Sequence, residues 1–259
     1  MGARLTGKYA LATGAARGIG EAIARQFVAE GARVIVADIR EEEGRALVNE
    51  LGEAASFRPL DVTDERAWSG LADELRARPI NVLVNNAGAV VSFAPLHEVS
   101  PDEWRRILEL NLTSVFLGMR FMIPLMVEGG GSVINLSSIS GVVGHSVAPA
   151  YQAAKGGIRV LTKNGAITYA TQGVRVNSLH PGLIATPMVS EQPQWATDAF
   201  LAATPMGRAG RPLDVAHAAV YLASDDSAFV TGAELVVEVL PPAITAVLPA
   251  LSPVAEAGR

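Results

Sequence analysis

Short runs of apolar and β-branched residues recur along the chain, and stretches with helical spacing separate them. The runs are Tyr9 to Thr13, Arg33 to Asp38, Ala55 to Leu60, Ile80 to Val84, Ser132 to Leu136 and Ala233 to Val237. Each is too short for a helix and apolar at successive positions, which predicts strands buried on both faces. After the first run, Ile19, Ile23, Phe27 and Val28 share one helical face, with Gly31 just past its end. Glu41 to Leu51, Asp64 to Ala77 and Asp214 to Leu222 also read as helices. Ser100-Pro101 opens a longer helical stretch, with an N-cap followed by proline at the first helical position. Helices alternating with apolar strands predict an α/β protein whose parallel sheet is covered on both faces.

Such sheets bind ligands beyond the carboxyl ends of their strands, and polar residues gather there. The first run ends in Thr13-Gly-Ala-Ala-Arg-Gly-Ile-Gly20 and leads into a helix. Strand, glycine-rich turn and helix make a phosphate site, because Gly14, Gly18 and Gly20 leave backbone N–H groups and a helix N-terminus open to a pyrophosphate. Arg17 and Ile19 lie in the same turn. Asp38 closes the second run, where a carboxylate accepts hydrogen bonds from an adenosine ribose and repels a 2′-phosphate. A simple N-cap for the next helix is the other role open to it. Asp61-Val62 and Asn85-Asn86-Ala87-Gly88 close the next two runs.

The stretch from Ser132 to Gly157 carries a second constellation. Its strand ends at Ser137-Ser138, and a glycine-broken loop then leads to Tyr151-Gln-Ala-Ala-Lys155. On a helix Tyr151 and Lys155 stand at i and i+4 and share a face. A free phenol titrates near 10, and an ammonium beside it favours the phenolate and draws that value down. With the Ser138 hydroxyl to hold an oxygen against the phenol, the three make a proton-transfer site for an alcohol/ketone pair. A Tyr-x-x-x-Lys pair is also a common surface feature, and catalysis needs a hydride carrier elsewhere in the chain. Asn111 sits mid-helix, where it is either an exposed poor helix former or a buried amide at the site.

TGAARGIG, Asp38, Asp61-Val62, NNAG, Asn111, Ser138, Tyr151-x-x-x-Lys155 and His180-Pro-Gly-Leu-Ile-Ala-Thr186 resemble, in order and spacing, the short-chain dehydrogenase/reductase family. The resemblance runs from about residue 5 to 238. It implies a single Rossmann-type, doubly wound domain over 1–238, and NAD as the cofactor. Tyr151 would then be the proton donor and acceptor, and Lys155 would lower its pKa and hold the nicotinamide ribose. Ser138 would position the substrate oxygen, Asn111 would support a water and proton relay, and Ile184 and Thr186 would bind the nicotinamide carboxamide. Gly14, Arg17, Gly18, Ile19, Gly20, Asp38, Asp61, Val62 and Asn86 would complete the cofactor site.

By the same resemblance, residues 187–210 form a lid over the substrate. Met188, Trp195, Phe200 and Met206 in it, with Val90, Val91, Phe93, His145 and Val147 opposite, point to an apolar substrate, alicyclic or steroid-like. His145 is read as a rim residue, since Tyr151 already fills the acid/base role. Relatives usually carry an Asp-Gly-Gly turn after the last strand. This chain instead has Glu238-Val-Leu-Pro-Pro242 and an apolar, proline-punctuated tail over 239–259, expected to pack on a neighbouring subunit or across the cleft mouth. The expected activity is NAD-dependent interconversion of a secondary alcohol and a ketone. The rivals are an NADPH-dependent 3-oxoacyl-thioester reductase, toward which Arg17 could serve a 2′-phosphate, and a non-catalytic dinucleotide sensor on the same fold.

Composition narrows this little further. The 259 residues suffice for one large domain, and a net charge of −5 without a basic cluster argues against a nucleic-acid surface. The absence of cysteine excludes disulfides, thiolate catalysis and Cys-type zinc sites, and no metal is expected. The N-terminus lacks signal-peptide architecture and no apolar run approaches a membrane span, so a soluble cytoplasmic enzyme is expected, homotetrameric by resemblance.

Overall fold

The computed structural model describes residues 3–238. Among these, seven parallel strands form one sheet in the order β3-β2-β1-β4-β5-β6-β7. They are β1 (Tyr9–Thr13), β2 (Arg33–Asp38), β3 (Ala55–Pro59), β4 (Val82–Asn85), β5 (Gly131–Leu136), β6 (Val174–Pro181) and β7 (Glu234–Val237). The helices are α1 (Gly18–Ala29), α2 (Glu41–Leu51), α3 (Glu65–Leu75), α4 (Pro101–Leu108), α5 (Ser114–Met122) and α6 (Pro149–Tyr169). Three more follow: α7 (Pro187–Ser190), α8 (Gln194–Ala203) and α9 (Pro212–Ala223). Strand order reverses between β1 and β4, which opens a crevice at their carboxyl ends.

Alternation along each strand divides the core into two layers. Ala10, Ala12, Val34, Val36, Val82, Val84, Ile134 and Leu136 face one way, onto Ile23 and Phe27 of α1, Leu47 of α2 and Val215 to Ala223 of α9. Leu11, Ile35, Leu83 and Val133 face the other way, onto Trp68 of α3, Met119 and Met122 of α5 and Ile158 of α6. The strands read as continuous apolar runs because both faces are covered. Trp68 is fully buried, and its indole N–H donates to the Val62 carbonyl at 2.9 Å, so its one polar group costs nothing.

Several boundaries differ from the sequence pattern. β4 begins two residues later than Ile80, because Asn81 engages Tyr9 twice: its backbone N–H donates to the Tyr9 carbonyl and its side-chain oxygen accepts from the Tyr9 N–H. Helix α3 stops at Leu75 instead of Ala77. Strand β6, which the hydrophobic pattern left unassigned, lies inside the sheet between β5 and β7 and carries His180. Its polar Asn177 and Ser178 mask the apolar run, and both are buried and hydrogen-bonded.

The helical stretch from Pro101 to Leu125 is, against expectation, long and apolar enough to cross a membrane by length and composition. Half of that apolar window is buried inside the molecule, where α5 packs on the sheet, and core packing accounts for its hydropathy. The apolar tail over 239–259 lies outside the described residues.

Candidate active site

The glycine turn is built against the end of β4. Gly14 has φ +59°, and a Cβ there would lie 2.7 Å from the Ala87 Cα. A Cβ on Gly20 would lie 2.3 Å from the Gly14 carbonyl oxygen. Both positions therefore require glycine. Gly18, at φ +64°, starts α1 and lies beside Thr186, whose Cβ would be 3.6 Å from a Cβ on Gly18. The Asn86 amide donates to the carbonyls of Thr13 and Gly14, both at 2.9 Å, and the Thr13 hydroxyl accepts from the N–H groups of Asn86 and Ala87. Asn86 thus spends its amide hydrogens on holding the turn.

Asp38 is buried to 7 % exposure and ties two loops together. One oxygen accepts from Ala16 N–H and the other from Arg40 N–H, each at 3.0 Å. It is not the N-cap of α2; Arg40 occupies that position. Each carboxylate oxygen keeps a lone pair directed to a further donor.

Ser138, Tyr151 and Lys155 converge where β5 meets α6. The Lys155 ammonium donates to the Leu136 carbonyl at 2.8 Å, and the Ser137 hydroxyl donates to the Lys155 carbonyl at 2.8 Å. A Cβ on Gly141 would sit 2.6 Å from the Lys155 carbonyl, so that glycine permits the close approach of loop and helix. The Ser138 hydroxyl accepts from Ser140 N–H at 3.1 Å. His180, fully buried, lies with Nδ1 3.3 Å from the Ser138 carbonyl and Nε2 2.8 Å from the Ser178 hydroxyl. It holds the Ser138 backbone from behind. No feature of the residue pattern marked this role. Ala148, directly before Pro149, adopts the left-handed conformation (φ 53°, ψ 48°) and turns the loop into α6 just ahead of Tyr151.

The electrostatics correct one expectation. The Tyr151 phenol does not lie below its free value in this site: burial dominates and pushes it up to about 12, with the Ser138 hydroxyl acting in the opposite sense. Burial also pulls Lys155 down to about 8. The ammonium lies over the face of the tyrosine ring, 5.5 Å from its centroid, and is aimed at a backbone carbonyl.

Asn111 is buried, as the sharper of its two readings had it, and its amide is engaged by backbone groups. It lies in a π-helical turn, Glu109–Thr113, between α4 and α5. Its oxygen accepts from Ala89 N–H, and its nitrogen donates to the carbonyls of Ala89 and Ile107. A Cβ on Gly88 would lie 2.6 Å from the Asn111 oxygen and 3.4 Å from the Lys155 ammonium, so glycine there keeps the space between the two clear.

A single cavity of about 630 Å³ joins these parts. Gly14, Arg17, Gly18, Ile19, Asp38, Asp61, Val62, Asn86, Ser138, Tyr151, Lys155, Ile184 and Thr186 all line it. Gly20 and Asn111 are not in its wall and act from behind. Val90, Val91, Phe93, His145, Met188 and Phe200 form its apolar end. Three expected lining residues are elsewhere: Val147 is buried at 2 % exposure, Met206 is 59 % exposed, and Trp195 stacks edge-on against Phe93. His145 packs edge-on against Phe200, and its Nε2 lies 3.0 Å from the Ser140 hydroxyl. Burial holds its pKa below the usual histidine value, as befits a neutral rim residue. Glu238, just after β7, accepts from the Thr204 hydroxyl at 3.0 Å and packs on Gly182, joining the residues after α8 to the end of β6.

A glycine turn between strand and helix and a Ser-Tyr-Lys group lining one cleft fit a nicotinamide-dependent oxidoreductase, and sequence comparison agrees. A family model described as Enoyl-(Acyl carrier protein) reductase matches residues 14–239. The chain is 45 % identical to the 3-alpha-(or 20-beta)-hydroxysteroid dehydrogenase of Mycobacterium tuberculosis, over 92 % of this chain and 90 % of that one. It is 43 % identical to the cyclopentanol dehydrogenase of Comamonas testosteroni, over 91 % and 97 % of the two chains. A trans-4-hydroxycyclohexanecarboxylate dehydrogenase of Sinomonas cyclohexanicum is 40 % identical over 91 % and 93 %. The chain belongs to the short-chain dehydrogenase/reductase family. It is an enzyme that interconverts a secondary alcohol and a ketone.

Proposed function

We propose that the enzyme uses NAD(H) and acts on an alicyclic or steroid-like secondary alcohol and its ketone. The observation that carries this is the single cavity lined by Asp38, by the Ser138-Tyr151-Lys155 group and by an apolar set that includes Val90, Phe93, Met188 and Phe200. The bare backbone at Gly14 and Gly18 fits a pyrophosphate, and the spare lone pairs of Asp38 fit a ribose diol. Asp61 and Val62 would border the adenine, Tyr151 and Lys155 the nicotinamide ribose, and Ile184 and Thr186 the carboxamide. The bound nicotinamide supplies or takes up the hydride at the carbon bearing the oxygen.

The chain's own residues handle the proton and the orientation. Ser138, braced by Ser140 N–H and by His180 behind it, donates a hydrogen bond to the substrate oxygen. Tyr151, a neutral phenol at physiological pH, is set to give its proton to that oxygen during ketone reduction and to take one back during alcohol oxidation. Lys155 supports the negative phenoxide that forms. Asn111 contributes by clamping Ala89, which keeps the loop around Gly88 clear beneath the site. The relatives named for steroid, cyclopentanol and hydroxycyclohexanecarboxylate substrates support a ring-shaped substrate, as do Val90, Phe93, Met188 and Phe200 along the wall. We also read the enzyme as a cytoplasmic homo-oligomer.

A panel of cyclic ketones and ketosteroids, followed by NADH and NADPH absorbance, tests the reading. Turnover of ring ketones with NADH, well above that of straight-chain ketones and 3-oxoacyl thioesters, is the expected result. A preference for thioesters with NADPH would overturn it.

A further inference from the structure

Arg17 and Glu191 are 174 positions apart and meet at the mouth of the cleft. The Arg17 Nη1 donates to one Glu191 carboxylate oxygen at 2.8 Å and Nη2 donates to the other at 3.4 Å. This is the two-pronged geometry in which a guanidinium holds a carboxylate or a phosphate. Arg17 belongs to the glycine turn, and Glu191 follows α7 at the near end of the lid; both line the cavity beside Asp38 and Arg40. Arg40 is engaged as well, by Glu43 at 3.2 Å. Each of these two guanidinium groups thus already pairs with a carboxylate. A 2′-phosphate is recognised by guanidinium forks, and here each fork already holds an acid.

We propose that Glu191 is a specificity-determining residue for the cofactor: by engaging Arg17 it withholds that cation from a 2′-phosphate. The proposal rests on the NAD(H) reading above and assigns part of that choice to the lid. A ribose 2′-hydroxyl makes no demand on a cation, so a nucleotide without the phosphate leaves the pair intact. A nucleotide carrying the phosphate gains Arg17 only by breaking the pair. The two side chains are 33 % and 60 % exposed, so salt screens the pair and its effect is a modest factor that adds to the larger one of Asp38.

Isothermal titration calorimetry of the full chain with NAD⁺ and with NADP⁺ tests this without reference to turnover. Glu191→Gln keeps the side-chain shape and removes its charge. The Kd for NADP⁺ should fall about threefold, the scale of a partly exposed ion pair, while that for NAD⁺ changes less than twofold. In an Arg17→Ala background the same substitution should bring no gain, because no cation is freed. An unchanged NADP⁺ affinity in Glu191→Gln overturns the proposal, and so does a gain of the same size without Arg17. The NAD⁺ measurement controls for folding. If the unmutated protein binds NADP⁺ more tightly than NAD⁺, the NAD(H) reading fails, and the comparison of the variants still decides the role of Glu191.

Discussion

Lys155 lies across the face of the Tyr151 ring, its ammonium 5.5 Å from the ring centroid and bonded to the Leu136 carbonyl. The two groups are packed together, and burial sets the pKa of each. Burial raises the phenol to about 12 and lowers the ammonium to about 8. The first proton to leave the pair as pH rises leaves near the lower value.

This sets the sign of the pH dependence. Phenoxide beside ammonium, the form that oxidises an alcohol, has one proton fewer than phenol beside ammonium, the form that reduces a ketone. Oxidation should therefore climb toward tenfold per pH unit below about 8 and level off above it, while reduction is flat below about 8 and declines beyond. In Lys155→Met only the buried phenol remains, with its pKa pushed up to about 12, so oxidation should keep rising well past pH 9. Initial rates in both directions, at saturating cofactor, measure this. A Lys155→Met profile that coincides with the unmutated one would leave the proposed role of Lys155 without support.

Tyr151→Phe keeps the ring under the Lys155 ammonium and removes the transferable proton. Turnover in either direction should drop at least about 100-fold, the lower end for loss of a general acid/base. The Kd for NADH, read by fluorescence, should move far less. Turnover near that of the unmutated enzyme would place the proton-transfer group elsewhere.

Asp38 has two duties that substitution can separate. NAD(H) should be favoured at least tenfold over NADP(H) in kcat/KM, roughly 1.4 kcal/mol of discrimination. Asp38→Ala should narrow that gap and also orphan the N–H groups of Ala16 and Arg40, at a cost of about 1.5–3 kcal/mol for each hydrogen bond to a charged group. Asp38→Asn retains an oxygen for one of those N–H groups and should narrow the gap with a smaller fall in Tm. Equal kcat/KM for the two cofactors in the unmutated enzyme would rule the assignment out.

Ala148 holds a left-handed backbone that costs a residue with a Cβ about 1–2 kcal/mol. Glycine removes that cost and loses part of the gain to chain entropy, so Ala148→Gly should be at least as stable as the unmutated protein. Ala148→Val puts a β-branched side chain at positive φ and should lower both Tm and kcat, since the turn delivers Tyr151 to the cleft. A valine variant as stable and active as the parent would show that the turn carries no strain.

Most of the architecture was legible in the chain itself because it depends on local signals. Apolar runs at successive positions report burial on both faces, and the glycines of 14–20 report a turn with no room for side chains. The i, i+4 spacing of Tyr151 and Lys155 reports a shared helical face. Strand β6 escaped because Asn177 and Ser178 break its apolar run, and only their hydrogen bonds to residues 230–233 explain why polar groups are tolerated there. For the same reason Val147 and Met206 looked like pocket residues: residue type carries apolarity but not direction.

What the sequence determined, then, was the order of six of the strands, the glycine turn and the i, i+4 placement of Tyr151 and Lys155, each written in a few neighbouring positions. Only the tertiary structure decided what those groups do to one another. Burial, not the lysine charge, dominates the Tyr151 pKa, because desolvation depends on every element packed around the phenol. Asn111 came to clamp Ala89, and His180 came to stand behind Ser138. Glu191, distant from the glycine turn along the chain, met Arg17 across the cleft mouth. Such contacts arise from the crossing of distant segments, and no local pattern of residues encodes them.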